Sequence, residues 1–162
     1  MLDSIDSARE MFRYDHWANR RVLEALRSAP EAQSALRTFA HILAAERTWL
    51  DRMLRGLDAT TGSDFWPSLT LAECESLLKG IEEQYRTFLS ELDADGLRRV
   101  AEYRNSRGEL YHTSFTDVLQ HVVSHSAYHR GQVASAVRAS GSTPPLVDYI
   151  VYVRERDRED VQ

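Results

Sequence analysis

Four long stretches of the chain carry apolar side chains every three or four residues, with charged residues between them. They cover residues 4–28, 30–56, 70–92 and 114–141. This spacing is the repeat of an amphipathic α-helix that buries one face against its neighbours. We therefore predict an all-α fold, a four-helix bundle of antiparallel type.

Residues at the ends of these stretches match helix boundaries. Pro30 is tolerated in a first helical turn, where its missing N–H is not needed. Thr70 and Glu73 form a capping box, and Ser114 begins a similar pattern. Gly141 follows the last stretch, as glycines often do at helix C-termini. The side chains at the boundaries thus support the limits that the periodicity predicts.

Three shorter segments lie between or after the helices. Residues 57–70 are dense in Gly, Pro, Ser, Thr and Asp and predict a loop. Residues 99–114 alternate in polarity around a turn sequence and predict a small β-hairpin or irregular insertion before the last long helix. Residues 146–153 predict a short strand or helical turn that packs back on the domain. We predict a single domain over residues 1–156 and a charged, frayed tail over 157–162.

Composition narrows the class of protein. The chain has 162 residues, 43% of them hydrophobic, and a formal charge of −5, which predicts one globular domain. The negative balance has the wrong sign for holding a phosphate backbone, and no apolar run is near the roughly 20 residues needed to cross a bilayer. We expect no nucleic-acid or membrane partner. A single cysteine, Cys74, and the lack of a secretory signal favour a cytoplasmic location, with Cys74 as a buried filler.

Three histidines, His121, His125 and His129, follow one another at intervals of four residues in the fourth predicted helix. This spacing places them on one face, together with Gln132 and several apolar residues, so we predict that they point inward. Buried imidazoles need partners, and a metal ion supplies one. Residues eight apart are separated by about 12 Å along a helix. At most two of the three histidines therefore bind the same ion.

A third ligand must come from another helix. Candidates are His16, His41, His112 and inward acidic residues. The helical pattern places His16 and Asn19 on the buried side of the first helix and leaves His112 exposed. It places His41 away from the apolar stripe of the second helix, beside small residues that would leave room over an imidazole. Periodicity alone leaves the choice open.

Other residues give weaker signals. Glu46 points to a different part of the helix from His41 and predicts an ion pair or a packing role. Phe65 and Trp66 either edge a pocket or pack against the end of the bundle. Tyr128 lies outside the arc of histidines and is predicted to be core or interface.

Four motifs occur in an order and spacing that resemble a known family. They are HWANRR in the first helix, HILAAERTWLDRML in the second, HVVSHSAYHRGQ in the fourth and DYIVYVRE near the end. The pairing of HxxxHRGQ with an upstream HxxxxE is the most specific part. Over nearly its whole length the chain resembles the DinB/YfiT-like family of metalloenzymes.

The resemblance implies a four-helix bundle, a homodimer and a divalent metal bound by three histidines. One ligand comes from the second helix and two from the HxxxH pair, which here are His41, His125 and His129, with His121 outside the set of ligands. Zinc is the first choice and nickel the next, because imidazole suits both. The family name records induction by DNA damage and not a DNA substrate.

Three neutral imidazoles leave an open position on the metal, as in catalytic zinc sites. We expect a metal-dependent enzyme with a small-molecule substrate, and the resemblance favours thiol-dependent S-transferase chemistry on a small electrophile. The alternatives are a metal-dependent hydrolase and a non-catalytic metal-binding or stress-induced interaction protein. His16 and Asn19 are expected to line the pocket, with His121 and Gln132 beside the ligands.

Overall fold

Six helices and one β-hairpin make up residues 4–59 and 64–159, the parts of the chain that this computed structural model describes. The helices are α1 (Ile5–Arg27), α2 (Gln33–Arg55), α3 (Leu71–Glu91), α4 (Ala94–Leu97), α5 (Phe115–Ala139) and α6 (Tyr149–Glu159), and the strands are β1 (Val100–Arg104) and β2 (Leu110–Ser114). One turn of 3₁₀-helix, Gly56–Asp58, follows α2. Residues 60–63 of the predicted loop lie outside the described residues.

The four long helices form the predicted bundle. Helices α1 and α2 each pack against both α3 and α5 and touch one another little. Large apolar side chains fill the space between them, among them Phe12, Phe39, Tyr85, Phe115 and Leu119. The prediction of an all-α bundle is confirmed.

Side-chain caps fix three of the four helix starts. Ser4 accepts a hydrogen bond from the Ser7 N–H at 3.1 Å, and the predicted capping box of Thr70 is present. Ser114 caps α5 in the same way. Helix α2 differs from the prediction, because it starts at Gln33 rather than at Pro30 and has no side-chain cap. Residues 30 and 31 lie in a turn. Since no side chain caps α2, we infer that packing determines where it starts.

The predicted hairpin is present between α4 and α5. Its antiparallel strands pair Val100 with Ser114 and Tyr103 with Tyr111. The strand β1 packs against the end of α2, where the position of a side chain on Gly56 would lie 3.3 Å from the Glu102 carbonyl oxygen. Gly56 also has a φ of 57°, so both the close approach and the backbone favour glycine there.

The last apolar segment belongs to a helix. Helix α6 lies against α1, where Tyr152 packs against Trp17 and Arg156 pairs with Glu10 at 2.5 Å. The predicted domain boundary at residue 156 falls inside this helix, and residues 160–162 of the tail lie outside the described residues. Of the helices in the described ranges, none is long and apolar enough to cross a membrane.

Candidate metal centre

Three histidines from two neighbouring helices meet at one point of the bundle. His41 on α2 is buried, whereas His125 and His129 lie one turn apart on α5 and are half-buried. Nε2 of His41 lies 3.2 Å from Nε2 of His125 and 3.2 Å from Nε2 of His129. Imidazole nitrogens bound to a tetrahedral zinc at about 2.0 Å lie about 3.3 Å apart. The spacing of these side chains therefore fits one shared divalent ion.

Hydrogen bonds at the opposite ring nitrogens fix where the protons lie. Nδ1 of His41 is 2.5 Å from the backbone carbonyl oxygen of Phe65, which can only accept, so this nitrogen carries a proton. Nδ1 of His129 likewise donates to Oε1 of Gln132 at 2.8 Å. The Nε2 atoms of His41 and His129 then direct lone pairs at each other, an arrangement that a cation between them stabilises. The donor set fits a metal ion.

The protonation of the histidines also suits a metal. Burial lowers the pKa of His125 to about 4, and repulsion from the neighbouring imidazoles adds to this effect. Burial lowers the pKa of His41 as well, against the opposing effect of its hydrogen bond to Phe65. Both rings are therefore neutral at pH 7, which is the form that binds metals.

The indole of Trp66 covers one side of the histidine group. It stacks on the ring of His41 with centroids 3.9 Å apart and meets the ring of His129 edge-on at 6.0 Å. Its backbone N–H donates to Oδ1 of Asp64 at 2.9 Å, which stabilises the turn that carries it. Of the two alternatives for the loop aromatics, Trp66 takes the position at the edge of the site.

The prediction that three histidines of α5 point inward is wrong for His121, which is exposed. Its ring lies 5.5 Å from that of His125, and partial desolvation by the neighbouring side chains together with the charge of Arg52 lowers its pKa. The three histidines of α5 lie at the edge of its contact with α2. Around the helix axis they are about 100° from the centre of the buried face. That centre is formed by Val122, Ser126, Arg130, Val133 and Val137.

A second polar cluster lies inside the bundle. Nη1 of Arg130 donates to Oδ1 of Asp15 at 2.6 Å and to Oδ1 of Asn19 at 2.9 Å, and Arg130 and Asp15 are completely buried. Oε1 of Glu46 accepts from Nδ2 of Asn19 at 2.9 Å and from Oγ of Ser126 at 2.8 Å. This buried cluster therefore joins α1, α2 and α5.

The cluster holds one ion pair and one further buried carboxyl group. Burial raises the pKa of Glu46 well above its usual value, and the charge of Asp15 raises it further, so both effects favour the protonated form of Glu46. Tyr85 on α3 donates its hydroxyl to the backbone carbonyl of Glu46 at 2.9 Å. Ligand atoms of Asp15, His16 and Glu46 lie within 4.8 Å of one another, but the positive charge of Arg130 on Asp15 opposes a cation there.

The other predicted site residues divide between the two clusters. His16 and Asn19, expected to line the metal pocket, lie instead in the buried cluster, where Asn19 is bonded to Glu46. His16 also lines a cavity of about 850 Å³ between α1, α3 and α6, and the lining of this cavity does not include the three candidate ligands. Gln132 and His121 lie beside those ligands, as expected.

Two central residues were not predicted from the sequence, namely Asp15 and Arg130. Arg130 stands four residues after Ser126 and three before Val133. Helical periodicity therefore places it on the same face of α5 as the buried Val133. Charged residues are almost never fully buried unless they are paired, so burial of Arg130 requires a partner. The partner, Asp15, is distant in the chain and gives no local signal.

The remaining predictions have mixed outcomes. Cys74 is buried and His112 is exposed, both as predicted. Glu46 has a packing role, with hydrogen bonds in place of an ion pair. Tyr128 is 68% exposed, so its assignment to the core is wrong.

Comparisons with known proteins agree with this fold. The sequence profile described as "DinB family" matches residues 1–160. A relative named Protein DinB, from Bacillus subtilis (strain 168), is 26% identical, and the alignment covers 91% of this chain and 94% of the relative. The crystal structure of a DinB-like protein from Bacillus cereus ATCC 10987 superposes with a TM-score of 0.67 at 19% identity, covering 91% of this chain and 100% of that one. This structural likeness shows the fold.

The buried ion pair predicts a large effect on stability. Replacing Arg130 by Met leaves the carboxylate of Asp15 buried without its partner, and we expect the free energy of unfolding to fall by about 3–5 kcal/mol. Urea unfolding measures this loss. The double variant Arg130→Met/Asp15→Asn should lose less than the sum of the two single variants. A loss within about 1 kcal/mol, as for an exposed pair, would contradict the assignment.

His16 predicts a dependence of stability on pH. Burial lowers its pKa to about 4, against the opposing charge of Asp15, whereas the pKa in the unfolded chain is about 6.5. Between these values the unfolded state binds more protons, so the free energy of unfolding falls as the pH decreases from about 6.5 to about 4. Between pH 7 and pH 5 wild type should lose about 2 kcal/mol more than His16→Leu in urea unfolding. Equal losses in the two proteins would show that His16 does not titrate in this way.

Proposed function

Since the chain belongs to the DinB family, we propose that it is a metal-dependent enzyme in which His41, His125 and His129 bind one divalent ion. The observation that carries this proposal is the convergence of the three Nε2 atoms, with two Nε2···Nε2 separations of 3.2 Å. The proton positions support it, because the Nδ1 hydrogen bonds leave Nε2 of His41 and His129 free as metal donors. Zinc is our first choice and nickel the second, since three imidazoles suit both.

The number of donors favours a catalytic role over storage or sensing. Within the described parts of the chain, the group around His41 contains three candidate ligand atoms and no carboxylate or thiolate. A structural zinc site is closed by four protein ligands, whereas three ligands leave a position for a substrate or water. A non-catalytic metal-binding or interaction protein is therefore the weaker alternative.

The residues around the site favour thiol chemistry over hydrolysis. A divalent ion bound here would lower the pKa of a thiol or a water molecule held in the open position. A general base would assist hydrolysis, yet burial raises the pKa of Glu46 and its Oε1 atom is already bonded to Asn19 and Ser126, so Glu46 is not placed to act as one. We propose transfer of a thiol to a small electrophile, with a metal-dependent hydrolase as the alternative.

In this reaction the thiol sulfur forms a bond to an electrophilic carbon, and the leaving group departs with its electron pair. The thiol proton passes to solvent. Trp66 excludes water from the outer face of His41, and the Phe65 carbonyl and the Gln132 amide hold the imidazoles in the required tautomer. The protein thus contributes orientation and a partly dry surface.

Metal content tests the ligand assignment. Protein purified without a histidine tag and loaded with Zn²⁺ or Ni²⁺ should retain about one ion per chain. We expect His129→Ala to weaken the affinity more than 100-fold and Gln132→Ala by about 10–100-fold, because Gln132 only orients a ligand. His112→Ala, in the exposed hairpin, is the matched control and should bind as wild type does. Wild-type protein that retains no stoichiometric metal would overturn the proposal.

Thiol consumption tests the reaction type. Zinc-loaded wild type should consume 2-mercaptoethanol in the presence of chlorodinitrobenzene, with release of chloride, and a free-thiol assay measures the rate. His129→Ala should fall to the uncatalysed rate, and His112→Ala should match wild type. Burial raises the pKa of Cys74 to about 11, so the protein's own thiol does not add to the signal. Equal rates for wild type and His129→Ala would reject thiol transfer and favour the hydrolase.

A further inference from the structure

Arg52 is a buried cation surrounded by aromatic rings. Its side chain is only 9% exposed and lies near the C-terminal end of α2. The guanidinium carbon is 4.5 Å from the ring centre of Trp49, 4.6 Å from that of Tyr103 and 5.7 Å from that of Phe65. These rings attract the positive charge, but none of them accepts a hydrogen bond from it, and the hydroxyl of Tyr103 is paired with Thr113 instead.

Arg52 has no hydrogen-bond acceptor among the residues that the structure describes, although a guanidinium has five N–H donors. The only other buried arginine in the described ranges, Arg130, is paired with Asp15 at 2.6 Å. Two guanidinium nitrogens of Arg130 are fully enclosed without a partner, whereas none of those of Arg52 is fully enclosed. Arg52 is thus desolvated by its neighbours and still open to a ligand.

Two short paths connect Arg52 to the histidine group. Phe65 packs its ring near Arg52 and accepts the Nδ1 proton of His41 on its backbone carbonyl. Trp49 packs on Arg52 and meets the ring of His121 at 5.0 Å, and His121 in turn lies 5.5 Å from His125. Arg52 therefore touches residues that also contact the histidine group.

We propose that Arg52 binds the anionic group of the substrate, a carboxylate or a phosphate, while the reacting group lies at the three histidines. A planar guanidinium matches either anion with two parallel hydrogen bonds. Trp49 and Tyr103 hold the guanidinium in place, so little side-chain freedom is lost on binding. The proposal rests on the proposed function of the histidine site, and it adds a substrate class, small anionic molecules.

The anion preference is tested first on metal-free, full-length protein. Titration with 3-mercaptopropionate and with its neutral isostere 3-mercaptopropanamide is followed by the NMR shift of the Trp49 indole. Because hydrogen bonds to charged groups are stronger than those to neutral ones, we expect the carboxylate to bind about tenfold more tightly than the amide, or more. A third titration, with methyl phosphate, shows which anion binds more tightly.

Variants of Arg52 decide whether this residue is responsible. Arg52→Met keeps an apolar stem among the rings and should lose the preference, whereas Arg52→Lys keeps the charge and should retain part of it. Arg55→Met removes an exposed arginine from the same helix and should bind as wild type does. An equal preference in wild type and Arg52→Met, or no preference in wild type, would overturn the proposal. If Arg52→Met does not fold, a reduced preference in Arg52→Lys supports the proposal, and a full wild-type preference in a charge-reversed Arg52→Glu contradicts it.

Zinc loading separates the two proposals. If the histidines bind a metal that accepts a thiol, loaded protein should bind 3-mercaptopropionate at least tenfold more tightly than metal-free protein. Methyl phosphate, which has no thiol, should gain less. No gain on loading would contradict the proposed function and leave the role of Arg52 intact, whereas equal affinities of loaded wild type and loaded Arg52→Met for 3-mercaptopropionate would contradict only the role of Arg52.

Discussion

The ion pair between Arg130 and Asp15 is the interaction on which the arrangement of the bundle depends. Removing both charges from water has a large cost, which close pairing and further hydrogen bonds must offset. Asn19 accepts one of these bonds from Arg130, and its side-chain amide donates another to Glu46. Helices α1, α2 and α5 are therefore held at one register by groups that cannot slide past one another without leaving a charge unpaired. An apolar core alone would tolerate several registers.

This register sets the geometry of the candidate metal centre. Ser126 and His125 are adjacent on α5, and Glu46 follows His41 by little more than one turn on α2. The hydrogen bond of 2.8 Å between Ser126 and Glu46 therefore holds the same two helices that carry the histidines. A rigid support of this kind keeps the three Nε2 atoms together, as a preorganised metal site requires. Burial and the charge of Asp15 raise the pKa of Glu46, which disfavours a second buried negative charge beside the ion pair.

The parts of this structure that were predictable are those that depend on local chemistry. Thr70 and Ser114 cap helices through neighbouring backbone groups, and the pair His125 and His129 follows from helical spacing. His41 was different, because periodicity did not favour it and only the family resemblance selected it. Its burial depends on Trp66, which comes from a distant loop.

Pairing between distant residues explains most of the remaining differences. Arg130 is buried because Asp15 is there, and neither residue predicts the other along the chain. His16 and Asn19 were correctly placed on the buried side of α1, but a helical wheel gives no information on which neighbouring cluster they face. The start of α2 at Gln33 likewise depends on packing, since no side chain caps that helix. Sequence periodicity predicts faces, and only the assembled bundle determines the contacts between them.

The hairpin determines how α5 is rotated about its own axis. Strand β2 passes directly into the helix, with Ser114 serving as both the last strand residue and the cap, and the Phe115 N–H donates to the Arg99 carbonyl at 2.8 Å. The strand pairing and the first helical turn are thus one continuous piece of backbone. A one-residue slip in the hairpin would turn the start of α5 by about 100° and exchange its histidine edge with its apolar face. The small sheet thereby sets the rotation about its own axis of the helix that carries two of the candidate ligands.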